Sequence, residues 1–124
     1  MKPILVVAGV RAHRRRLAEV LAHAGYSVIK AQTGESALKL AQDIPPGLAL
    51  IAIVMPDING LEIAAQLHQS LGNESPPIIL LGAIRPIGLE EEPLASLVSG
   101  YLNIDVSSSE LLATVRSQLV MSSQ

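Results

Sequence analysis

Seven apolar residues in succession, Leu48 to Val54, end at Met55-Pro56-Asp57. A run without alternation predicts a strand covered on both faces, as at the middle of a parallel sheet, and the Pro-Asp pair predicts a loop after it. Shorter apolar runs flank it: Ile4 to Ala8, closed by Gly9; Tyr26 to Ala31; Ile78 to Leu81, introduced by Pro76-Pro77; and Gly100 to Asn103. Between them the apolar positions recur at helical spacing. Leu17, Val20, Leu21 and Ala24 mark a helix from Arg11 that Gly25 stops. Leu38 and Ala41 mark one capped by Thr33 and ended by Pro45-Pro46-Gly47, and Leu61, Ala64 and Leu67 one that closes at Gly72-Asn73. Ser107 and Glu110 form a capping box before Leu111, Val115 and Leu119, with Leu112 beside that face. The fourth interval is the least regular. Pro93 has no amide hydrogen and fits only a first helical turn, which predicts a short helix from Pro93 to Val98 with Glu90 to Glu92 at its start.

Strands alternating with helices of this length predict an α/β domain: a parallel sheet, right-handed crossovers, helices on both faces. With 124 residues the chain is read as one domain over residues 1–120, followed by a tail at 121–124. Composition narrows the function. There is no Phe or Trp and there are only two Tyr, so base-stacking platforms are missing, and a net charge of −2 creates no field for nucleic acid or an anionic membrane. Without cysteine there is no disulfide, thiolate metal site or thiol nucleophile. The apolar residues before Arg11 are too few for a signal segment or a spanning helix, so a cytoplasmic location is expected.

The loop Met55-Pro56-Asp57-Ile58-Asn59-Gly60-Leu61-Glu62 resembles the Met-Pro-x-x-(Asp or Asn)-Gly loop of response-regulator receiver domains. Further matches run along the chain in order: Ile4-Leu5-Val6-Val7, Gly25-Tyr26-x-Val28, Gly34-Glu35-x-Ala37-Leu38, and Gly100-Tyr101-Leu102 before Glu110-Leu111. The resemblance implies a flavodoxin-like three-layer sandwich, a five-stranded parallel sheet of order 2-1-3-4-5, and a place in two-component phosphorelay signalling. It also implies where the chemistry should sit. Typical receivers hold Mg²⁺ on two acidic residues after the first strand, and the matching positions are Ala8 and Gly9. The aspartate that accepts the phosphoryl group is matched by Ala52. The Ser or Thr ending the fourth strand is matched by Gly82, and the Lys-Pro after the fifth by Ile104 and Asp105. The expectation is therefore a degenerate receiver, or pseudo-receiver, with no catalytic residue, no metal and no cofactor.

The remaining polar candidates have ordinary readings. Asp57 follows Pro56 and is expected to cap a turn or the following helix rather than to replace the acceptor. His13, His23 and His68 are scattered over two helices without ligand spacing and are expected at surface or boundary positions. Arg15 and Arg16 are expected to face solvent, while Gly9 and Arg11 border the emptied strand ends and form a candidate anion corner. Tyr101 matches the aromatic switch position of typical receivers and offers a partner both apolar area and a hydroxyl. The resemblance places an interaction surface on the fourth helix, fifth strand and last helix, with Tyr101, Pro93 and Glu92. The expected partner is a signalling protein, namely a histidine kinase, an output domain or another regulator, or a second copy of the chain. An anion or nucleotide sensor at Gly9 and Arg11 is the alternative. An enzyme on the same fold is disfavoured, because no nucleophile–base pair or phosphate-binding glycine motif is present.

Overall fold

Every apolar run forms a strand and every helical spacing forms a helix in the structure, a computed structural model that describes residues 2–83 and 94–122. In chain order the elements are β1 (Ile4–Val7), α1 (Arg11–His23), β2 (Val28–Ala31), α2 (Gly34–Asp43) and β3 (Leu48–Ala52). They continue with α3 (Gly60–Leu71), a single 3₁₀ turn (Gly72–Glu74), β4 (Ile78–Gly82), α4 (Leu94–Leu97), β5 (Gly100–Asn103) and α5 (Ser108–Ser122). All strand pairs are parallel, and the sheet order is β2-β1-β3-β4-β5, as expected.

Alternation along the strands builds two cores. Leu5, Val7, Ala49, Ile51, Ile78 and Leu80 point to one face, where Ala37, Ala41, Ile63, Ala64 and Leu67 from α2 and α3 cover them. Ile4, Val6, Leu48, Leu50, Ile79 and Leu81 point to the other, under Leu17 and Leu21 of α1 and Leu111 and Val115 of α5. Both faces of β1, β3 and β4 are thus sealed, which is why their sequences do not alternate.

The local signals account for most boundaries. Thr33 accepts from the Ser36 amide at 3.1 Å, Asn59 from Glu62 at 2.9 Å and Ser107 from Glu110 at 3.2 Å, so three helices begin on side-chain caps. Gly25, at φ 96°, and Gly72, at φ 53°, supply the left-handed turns after α1 and α3.

Four expectations change. The second strand starts at Val28, not Tyr26, because the Tyr26 amide still donates back to Leu21 at the end of α1. The central strand stops at Ala52, and Val54 stands 86% exposed beyond it. Ala24 is exposed rather than in the core face of α1, and α5 runs through Ser122, taking in two residues expected as tail. The predicted start of the short fourth helix, Glu90 to Pro93, lies outside the described residues.

Candidate functional site

Val7 of β1 pairs with Ile51 of β3, so the residues that follow, Ala8, Gly9 and Ala52, emerge side by side at the carboxyl end of the sheet. This is the switch point of the open sheet, where ligands of such folds bind. Ala8 and Ala52 are buried and apolar. Gly9 is covered by the loop after β3: a Cβ there would lie 2.7 Å from Pro56 Cδ. Gly82 ends β4, and a Cβ on it would lie 3.1 Å from Ile53 Cδ1 and 3.4 Å from the Tyr101 hydroxyl. Ile104, just past β5, donates its amide to the Gly82 carbonyl at 3.0 Å and rests its side chain on the α1–α5 core. None of these five side chains carries a donor or an acceptor. Among the described residues, no group of three His, Asp or Glu side chains could hold a metal ion.

The loop itself is tightly specified. The Gly60 amide donates to the Ile53 carbonyl at 2.8 Å, and a Cβ on Gly60 would lie 2.4 Å from the Ala52 carbonyl oxygen. Only glycine lets α3 start that close to the end of β3. Asp57 corrects its expected role. It does not cap α3, which Asn59 caps; its two oxygens accept from the Gly34 amide at 3.0 Å and the Glu35 amide at 3.1 Å, at the N-terminus of α2. The Gly34 amide foremost, then those of Ile58 and Glu35, holds this carboxyl below its ordinary range despite partial desolvation. A carboxylate engaged in this way is a loop tie, with both oxygens already taken by amides of α2.

The basic cluster on α1 divides. Arg14 donates to the Ala8 carbonyl at 2.8 Å, with a longer 3.5 Å contact to that of Gly9, and so clamps the end of β1. Arg16 also departs from expectation: it is half-buried, and its guanidinium donates to the Val106 carbonyl between β5 and α5. Arg15 is exposed and pairs with Glu19 at 2.9 Å, and Arg11 is exposed at the start of a helix whose N-cap, Val10, offers no side-chain acceptor. His13 is half-buried, while His23 and His68 are exposed.

Tyr101 turns inward. Its half-buried ring packs against the α2–α3 core, and its hydroxyl is buried beside Gly82 with no hydrogen-bond partner among the described residues, so that hydroxyl is not offered to the surface. Pro93 and Glu92 lie outside the described residues. Two residues not singled out from sequence stand at the mouth of the site: Val10, 55% exposed, and Val54. For Val54 the sequence carries a signal, since it continues the apolar run two residues past the end of β3; Val10, three residues past β1 and beyond Gly9, carries none.

Comparison with known proteins agrees with the fold. The chain is 36% identical over 116 residues to the response regulator MprA of Mycolicibacterium vanbaalenii, covering 94% of this chain and 49% of that protein, so it spans about half the length of that relative. It is 25% identical to the polar-differentiation response regulator DivK of Brucella ovis, over 95% of this chain and 96% of that one. Among solved structures, the chemotaxis protein CheY4 of Vibrio cholerae superposes with a TM-score of 0.87 at 24% identity, covering 95% of this chain and 98% of CheY4. A CheY-like receiver domain protein of Methanospirillum hungatei superposes with 0.89 at 23% identity, covering 99% and 97% of the two chains. Residues 4–116 match the model of the response regulator receiver domain, and the chain belongs to that family.

Proposed function

We propose that residues 1–120 form a receiver-like signalling module that acts by binding protein partners and is not phosphorylated at the usual aspartate position, occupied here by Ala52. The observation that carries this reading is the row Ala8, Gly9, Ala52, Gly82 and Ile104, which brings no oxygen ligand, nucleophile or cation to the strand ends. The module is non-catalytic, of the pseudo-receiver kind, and works in the cytoplasm. Incubation with Mg²⁺ and a small-molecule phosphodonor, read by intact mass, tests it: the mass stays unchanged, and a stoichiometric phosphate adduct overturns the proposal.

The partner face is that of α4, β5 and α5, with Tyr101, Pro93 and Glu92, and the partner is a histidine kinase, an output domain, another regulator or a second copy of the chain. An inward Tyr101 supports a face kept in one arrangement, because Gly82 has no side chain to couple the ring to a phosphate. A partner captured by the native chain is lost with Tyr101→Ala; a partner retained moves the interface elsewhere.

A second reading, an anion or nucleotide sensor at Gly9 and Arg11, draws on one observation: the first turn of α1 has no side-chain cap and Arg11 stands exposed beside it. A nucleotide that raises the melting temperature of the native chain but not of Arg11→Ala supports it.

A further inference from the structure

On the outer side of α1, where the helix meets the edge strand β2, there is an open groove of about 460 Å³. Its floor is apolar and shallow, made by Ala18, Ala22 and Val28. Its rim is basic: Arg11, Arg14 and Arg15 come from α1, and Lys30 comes from the opposite bank. One carboxylate, Glu19, faces these four cations, in a chain whose net charge is −2. Arg15 and Glu19 pair in the open, 70% and 58% exposed, so the pair exchanges readily for another partner. Arg11 and Lys30 make no hydrogen bond or ion pair among the described residues.

The Arg15–Glu19 pair aside, the charge at the start of α1 works against the helix. Cations in the first turns of α1 oppose its dipole, and no acidic residue stands there to offset them. The spacing is linear. Arg11, Arg15, Ala18 and Ala22 follow one another at helical intervals, a stripe about 16 Å long at 1.5 Å per residue. It is basic in its first half and small and apolar in its second. Side chains as small as alanine let a second helix approach closely.

We infer that this groove docks an acidic amphipathic helix of a partner protein, with carboxylates against Arg11, Arg15 and Lys30 and small apolar residues over Ala18, Ala22 and Val28. A compact phosphate-bearing ligand fits less well, because the cations are strung along the groove and its floor holds no polar side chain. The surface is separate from the α4–β5–α5 face and does not depend on it.

The probe is a synthetic helical peptide with glutamates one turn apart followed by an Ala/Leu stripe, titrated into the isotopically labelled full chain while amide shifts are followed by NMR. Shifts are expected along residues 11–22 and 28–30, weakening with added salt. Lys30→Glu, on an exposed edge away from Gly9, should weaken binding about tenfold by turning an attractive rim contact into a like-charge one. Arg11→Glu should do the same. Absence of binding, shifts confined to the Tyr101 face, or the same shifts from inorganic tripolyphosphate at equal affinity would each overturn the inference. The last outcome would make the groove a small-anion site.

Discussion

Asp57 and Gly60 sit three residues apart in one loop and do opposite things with the space they have. Asp57 reaches out to two amides of α2, and its carboxyl is held below its ordinary value of 3.8. A carboxylate whose pKa is lower in the folded chain stabilises it above the unfolded value and ceases to do so as pH falls through the folded one. The melting temperature of Asp57→Asn should therefore lie below that of the native chain at neutral pH. The gap should close as pH falls from above 3.8 through the lower folded value, and a constant gap across that window would show that charge is not the cause. Gly60 instead leaves room. Any Cβ there meets the Ala52 carbonyl, so Gly60→Ala should cost about 1–3 kcal/mol by chemical denaturation, as overpacking does. The glycine could be expected from the loop pattern, whereas the partners of Asp57, 22 and 23 residues earlier in the chain, could not. Nothing local in Pro56-Asp57-Ile58 shows that α2 begins within reach.

At the level of elements, the starts of helices are the best-read features, because a cap is a contact between neighbours in sequence. Thr33→Ala should destabilise by about 1 kcal/mol, and Thr33→Ala with Asp57→Asn by more than either alone, since both serve the first turn of α2. Contacts between elements are less legible. Arg16 looks like one more exposed arginine in the run from Arg14, yet it is 90 residues away from the carbonyl that receives it. It ties α1 to the link between β5 and α5. Arg16→Ala should lose roughly 1–2 kcal/mol, the scale of a hydrogen bond from a charged group, with faster hydrogen exchange at the start of α5. The end of β3 is hard to read for a related reason: apolar residues continue past the last sheet hydrogen bonds, and composition alone does not separate Ala52, inside the sheet, from Val54, outside it.

For the molecule as a whole, the two-sided core makes β3 a shared wall. Leu50 faces the α1–α5 side and Ile51 the α2–α3 side, both fully buried, so truncating either to Ala should cost about 2–5 kcal/mol and lower the stability of both layers together. The α/β class is legible in the periodicity of the apolar runs, and the strand order and the family in the resemblance that Met55 to Glu62 and the shorter motifs bear to receiver domains. The closure of the strand ends is not, because it depends on where Pro56 comes to rest. That contact bears on reversibility. Typical receivers carry an acidic residue at the position of Gly9 beneath a similar Met-Pro loop, but here the volume for its first carbon is taken by a rigid ring. Gly9→Asp alone should therefore destabilise the chain before it offers Mg²⁺ anything, and adding Ala8→Asp and Ala52→Asp beside it places like charges together in a buried setting rather than a finished site. An engineer installing receiver chemistry at these strand ends would have to reshape the loop first, so that the order of steps, and not the number of substitutions, sets the difficulty.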